Sequence, residues 1–254
     1  MVLLSFLVVT GCSRRDILDD YPVSGVEVRL DWSGVTEKLP EGVRIIFYPK
    51  DEKGRKIDTY LSVTGGEVKV PSGHYAVVIY NYDTETVLIR GEESYETIQA
   101  YTNFCKLGIA GTEKMVWGPD PLYVVNIDDL DIQNSEETLI LKLKPKLVIR
   151  TYSFSIKVQG LSNVSNVIGS IGGMADHYFL GKAYAMCDDY PINIDLNVKA
   201  GKIEGVFTTF GLPEAIITRL EIKLPVMMNL MIIKVDNSVQ EVKINITEAV
   251  QEPT

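Results

Sequence analysis

Val26-Glu27-Val28-Arg29-Leu30-Asp31-Trp32 is the stretch whose reading decides the fold class. Val26, Val28, Leu30 and Trp32 fall on one side of an extended chain and Glu27, Arg29 and Asp31 on the other, the period-two pattern of a strand with one buried face. Moving outward, Val43 to Tyr48 reads as the next strand and stops at Pro49, and Asp51-Glu52-Lys53-Gly54 supplies turn chemistry before Thr59 to Val63. Thr64-Gly65-Gly66 and Pro71-Ser72-Gly73 bracket a short strand, Glu67 to Val70; Tyr75 to Tyr82 and Thr86 to Arg90 follow, the latter closed by Gly91. Turn residues recurring about every ten positions indicate a β-sandwich rather than βαβ units.

The second half repeats the pattern. Leu139, Leu141 and Leu143 oppose Lys142 and Lys144, Pro145 interrupts the ladder, and Val148 to Val158 resumes alternation. A proline there predicts an edge, a bulge or a strand that changes sheets. Val164, Val167, Ile168 and Ile171 fit i, i+3, i+4, i+7 and predict one short helix. Further strands are expected near Ile192 to Leu196, Lys202 to Phe207, Leu220 to Val235 and Gln240 to Thr247. Leu224 to Ile233 is nearly all apolar, but Pro225 and its length argue against a membrane helix. Ser94 to Pro121 is irregular, and the acidic stretch Asp128 to Glu137 reads as a linker. The expected organisation is all-β, with one sandwich over 23–130 and another over 131–254.

Composition narrows the chemistry. The 254 residues carry 25 Lys and Arg against 34 Asp and Glu, a net charge of -9, which removes the basic footprint a nucleic-acid backbone requires. Two histidines and three cysteines cannot build a zinc ribbon. Neither His74 nor His177 has a nucleophile and an orienting group in its local sequence, and Asp176, although adjacent to His177, should point to the opposite face of a strand. No G-x-S-x-G, H-E-x-x-H, P-loop or G-x-G-x-x-G is present. Asp128, Asp129 and Asp131 lack the loop glycine and terminal Glu spacing of a calcium-binding loop. No catalytic residue, cofactor site or metal ligand set is therefore expected, and the chain does not read as an enzyme. Tyr80 and Tyr82 share one strand face, as a sugar-stacking platform or as the rim of a sandwich core.

The N-terminus gives an address. Val2 to Thr10 is a short apolar run, too short at ~1.5 Å per residue to cross a ~30 Å hydrocarbon layer and of signal-peptide length. No Lys or Arg precedes it. Val9-Thr10-Gly11-Cys12 looks like a bacterial lipobox, in which the Cys12 thiol takes the diacylglycerol and becomes the first mature residue. Residues 1–11 are then a lipoprotein signal peptide and 12–22 a lipidated tether ending in the membrane, where several acyl chains together make anchoring stable. Cys105 and Cys187 remain, as a bridge or as two core-packed thiols.

These features coincide with Gly25 to Trp32, Pro40 to Pro49, Pro71-Ser72-Gly73-His74-Tyr75 leading to Tyr80-Asn81, and Tyr152 to Gly160 followed by Ile171-Gly172-Gly173-Met174-Ala175. Together they resemble the fimbrillin-like lipoproteins of the Bacteroidales, close to the anchor or minor fimbrial subunits. The resemblance implies two transthyretin-like Greek-key β-sandwiches in tandem, lipid attachment at Cys12, and a structural or adhesive role at the outer membrane, at the cell surface or on its periplasmic face. Polymerising members are cut after an Arg, which frees a groove for a donor strand from the next subunit, a form of β-strand addition. Here Arg14 and Arg15 lie beside Cys12, so an anchor or free-standing lipoprotein fits better than a polymerising subunit. Partners implied are other fimbrial subunits, or a glycan or host surface. The candidate edges for strand addition are Val26 to Trp32 and Glu241 to Thr247. The alternative function is a surface lipoprotein that binds glycan for nutrient capture.

Overall fold

A computed structural model describes residues 23–51, 54–105, 114–188, 190–199, 201–214 and 225–251. Cys12, the apolar run before it and the tether lie outside the described residues. The first strands are β1 (Val23–Leu30), β2 (Gly42–Pro49), β3 (Ile57–Ser62), β4 (Gly65–Pro71) and β5 (Gly73–Asn81). Four short ones follow, β6 (Val87–Arg90), β7 (Gln99–Thr102), β8 (Phe104–Cys105) and β9 (Met115–Val116), then β10 (Tyr123–Ile132), β11 (Leu139–Leu143) and β12 (Lys146–Leu147). The second half contains β13 (Arg150–Lys157), β14 (Val164–Gly172), β15 (His177–Phe179), β16 (Tyr184–Met186), β17 (Ile192–Lys199), β18 (Lys202–Thr209), β19 (Met227–Lys234) and β20 (Val239–Asn245). One short helix, α1 (Thr247–Val250), ends the described chain. The molecule is all-β, as the alternation predicts.

The first sheet runs β11-β1-β4-β3-β2-β5-β10-β12. Its terminal strands, β11 and β12, are separated in sequence only by Lys144 and Pro145, so at ~3.5 Å per residue the two sheet ends lie within about 10 Å of each other. An eight-stranded sheet meets that condition only by curling onto itself. The curl encloses a core in which Val26, Val28, Val68 and Val70 face Val43, Ile45, Phe47, Val77 and Ile79. Leu139, Leu141 and Leu143 complete it, because β11 lies parallel to β1 in the register Val26 to Leu139 and Leu30 to Leu143.

The other face of β2 and β5 is buried too. Ile46, Tyr48, Val78 and Tyr80 pack beneath a small sheet, β16-β15-β7-β6, whose Ile98, Ala100, Leu180 and Ala185 surroundings form a second core. Burial on both faces is why Tyr75 to Asn81 shows no exposed position and reads as a continuous apolar run. The third sheet, β13-β18-β17-β14-β19-β20, holds a third core around Ile171, Ile192, Phe207 and Leu230. β9 joins it by pairing with β17 at Val116 and Ile192.

Four expectations are corrected. Val164 to Ile171 forms β14 and not a helix: one face meets the third core through Ile171 and the other meets Cys105, Met115 and Met231 through Ile168, so double-sided burial imitates helical spacing. The first half of the acidic stretch is strand, because β10 pairs with β5 through Ile132, with an irregularity between Ile127 and Leu130 that turns the carboxylates outward. The boundary at 130/131 falls inside β10, and β11 beyond it belongs to the first sheet. β1 is interior, flanked by β4 and β11, so Val26 to Trp32 offers no free edge. Pro145, in contrast, sits where a proline that ends one ladder and starts another belongs, between strands at opposite ends of the first sheet.

Candidate functional site

For a chain whose expected work is assembly or adhesion, the relevant features are strand edges and exposed side-chain clusters. The third sheet ends in β13 on one side and β20 on the other. β20 pairs with β19 from Met227–Asn245 to Ile233–Val239, and among the described residues no second strand pairs with it. It lies where the last predicted strand places an edge. After it, the chain is pinned: Ile246 N donates to Val226 O (2.9 Å), Val226 N donates to Thr247 Oγ1 (2.9 Å), and Val250 is buried in the third core. β13 pairs with β18 along its whole length and alternates half-buried Tyr152, Phe154 and Ile156 with exposed Ser153, Ser155 and Lys157. Polar residues on such a rim keep a sheet edge from indiscriminate pairing, leaving it to a matched strand.

The histidines separate. His74 is half exposed at the start of β5, with Nδ1 3.3 Å from Asp129 Oδ1, an oxygen that also lies 3.1 Å from Lys50 Nζ. The Lys50 hydrogen bond, with a smaller contribution from the His74 contact, holds the Asp129 carboxyl below the usual carboxylate range. His177 is buried, and its Nδ1 is 2.6 Å from Asp176 Oδ1. The two side chains meet because β15 begins at His177, which leaves Asp176 in the preceding bend, free of strand alternation. That overturns the opposite-face expectation. Asp176 Oδ2 also accepts backbone N–H groups from Asp188 (3.0 Å) and Tyr190 (3.4 Å). Asp176, His177 and Asp188 bring their donor atoms within 4.8 Å of one another, the residue types a metal could use. Both Asp176 oxygens already have nitrogen partners, His177 Nδ1 on Oδ1 and the Asp188 and Tyr190 N–H groups on Oδ2, which suits a bracket holding Asp188 and Tyr190 beside β15. Among the described residues the polar partners of the His177 ring are carboxylates, and no hydroxyl nucleophile is among them.

Cys105 is a buried free thiol, and Cys187 is half-buried. Burial pushes the Cys105 thiol up, away from reactivity. Tyr80 and Tyr82 share a face but not an environment: Tyr80 is 2% exposed in the second core, whereas Tyr82 is 44% exposed. Tyr82 instead meets Tyr60 of β3, which sequence reading left unremarked although it occupies an outward position in the alternation of Ile57–Ser62. Among the described residues no helix is long and apolar enough to cross a membrane.

Comparison with known proteins places this architecture. Residues 11–195 match the family described as "Domain of unknown function (DUF5119)". The chain is 52% identical to the "Putative fimbrium anchoring subunit Fim4B" of Bacteroides ovatus over 261 residues, 98% of this chain and 78% of that protein. The crystal structure of a "putative adhesin" from Bacteroides ovatus, 52% identical, superposes with a TM-score of 0.85 over 96% of this chain and 89% of that one. The fimbrial anchor protein Mfa2 of Porphyromonas gingivalis, at 13% identity, shares the fold with a TM-score of 0.57 over 89% of this chain and 83% of its own. With the family match covering most of the chain and half of its residues shared with a protein named for fimbrium anchoring, the chain belongs to the DUF5119 family, among the fimbrillin-like proteins that its sequence resembles.

Proposed function

We propose that this protein is a cell-envelope anchoring or adhesion subunit of a fimbrial fibre, non-enzymatic and held at the outer membrane by lipid on Cys12. The observation that carries the reading is 52% identity across 98% of the chain to a protein named as a fimbrium anchoring subunit. Two rims, β13 and β20, support β-strand addition from a neighbouring fimbrial subunit. We also read the chain as two transthyretin-like sandwiches, supported by the separation of the core inside the curled first sheet from the core of the third. A second reading, glycan capture at the surface, is favoured by one exposed tyrosine pair.

An acyl-chain probe fed to expressing cells should label the wild type and not Cys12→Ala; label retained by the variant would sink the lipid anchor. Isolated fimbriae should retain a tagged chain, and the same chain lacking 239–251 should be recovered in lower amount if β20 carries the contact. Consistent absence of the intact chain from fimbriae would overturn the assembly role.

A further inference from the structure

The face of β2, β3 and β5 that turns away from the first core is only half covered by the small sheet. Tyr48, Ile46, Val78 and Tyr80 lie beneath it, while Tyr60 and Tyr82 remain 61% and 44% exposed. Their rings meet edge to face, with centroids 5.2 Å apart at 87°, an arrangement that leaves aromatic surface open to solvent. Both rings are braced. A Cβ on Gly42 would stand 2.9 Å from Tyr82 Oη, so the bare glycine seats that hydroxyl against β2. Arg44 lies over the Tyr60 ring at 5.8 Å.

Arg44 is itself fully committed. Nε donates to Asp58 Oδ1 (2.9 Å), Nη2 to Asp58 Oδ2 (2.7 Å) and Glu92 Oε2 (3.1 Å), and Nη1 to Glu92 Oε1 (2.7 Å) and Tyr80 Oη (2.8 Å). All five guanidinium N–H groups are thus used. Arg44 keeps no donor to clamp an anion, and the second cation beside Asp58, Lys56, turns its ammonium to the Glu92 carbonyl, Nζ donating to O at 2.7 Å. The same carboxylates keep spare lone pairs beside the rings, ready to accept hydroxyl donors. The open aromatic area, at about 150–250 Å² per side chain, comes to roughly 200 Å². That is well below the ~800 Å² per partner of a stable protein interface. It matches one or two pyranose rings, whose apolar faces stack on aromatics and whose hydroxyls seek carboxylate acceptors.

We propose that Tyr60 and Tyr82, with Asp58 beside them, form a binding site for a neutral saccharide. The site lies on the first sheet, apart from β13 and β20, and does not depend on the anchoring role.

The mature chain, soluble and without lipid, is titrated with cello-, malto-, manno- and chito-tetraose and with sialylated and sulfated oligosaccharides, following tyrosine fluorescence and Tyr ring NMR signals. At least one neutral tetraose should bind saturably. Tyr60→Ala and Tyr82→Ala should each weaken it at least tenfold and the double variant should abolish it, while Tyr190→Ala, an exposed tyrosine elsewhere, should bind as wild type. Thermal melts of the variants within a few degrees of wild type confirm that folding is intact. No binding to any neutral sugar, binding that survives the double substitution, or preference for the anionic sugars would each overturn the proposal. Tyr60-dependent self-association on sedimentation, without sugar binding, would reassign the patch to a second copy of the chain.

Discussion

Gly65 illustrates how one residue fixes a junction. Its φ is +103°, and a Cβ there would fall 2.0 Å from the Val28 carbonyl oxygen of the neighbouring strand. Both the backbone conformation and the close approach of β1 therefore require glycine. Gly65→Ala should cost at least about 2 kcal/mol, read as a lowered midpoint in urea without a change in slope. Asp58 carries a pH signature. The Arg44 hydrogen bond holds its carboxyl below its ordinary value, against the opposing effect of partial burial. A depressed folded-state pKa contributes stability that is fully present above the unfolded-state value near 4 and is lost as pH falls through the folded-state value. Wild type should therefore melt higher than Asp58→Asn at pH 7, and the gap should close as the pH drops below about 4. The pair is partly exposed, so solvent screening keeps that gap modest. A gap that stays constant from pH 7 to pH 2.5 would show that Asp58 acts by packing alone.

At the scale of elements, protection should follow position in the sheets. β5 is paired on both sides, with β2 and β10, and buried on both faces, whereas among the described residues β13 and β20 each pair on one side. Amide hydrogen exchange should accordingly be slowest in Val77 to Asn81 and faster by orders of magnitude in β20, whose outer rim can open without disturbing the sheet. If β20 proved as protected as β5 in the isolated protein, its edge would already be covered and strand addition there would need displacement first. The exposed aromatic pair depends on a similar positional difference. Tyr80 on β5 lies under the small sheet, whereas Tyr82, one residue past the end of β5, is exposed.

Across the whole molecule the two halves of the chain are interlocked. The small sheet takes β6 and β7 from the first half and β15 and β16 from the second, joined where Gln99, Ala100 and Tyr101 pair with Phe179, Tyr178 and His177. β9 crosses the other way to pair with β17. A fragment ending at residue 130 would lack β11, which covers Val26, Val28 and Leu30, and would expose the second-core face of β2 and β5. That fragment should aggregate or melt without a cooperative transition, whereas 23–254 should unfold cooperatively. A soluble, cooperatively melting 23–130 would restore the division read from the acidic stretch.

By itself the sequence determined the fold class, the position of most strands and the poverty of catalytic groups, because alternation, turn residues and composition are local properties. Val26 to Trp32 and Leu139 to Leu143 were legible as strands for that reason, and the strand and turn motifs carried the family resemblance. What only the tertiary structure decided was pairing. That β1 lies between β4 and β11 rather than at an edge depends on contacts more than a hundred residues apart, which no local pattern encodes. β5 and β14 lost their alternation to burial on both faces, and β10 carried its acids outward within a ladder rather than across a linker. Asp176 met His177 because a strand began between them, and Tyr60 met Tyr82 because pairing set β3 and β5 on either side of β2, with Tyr82 just past the end of β5.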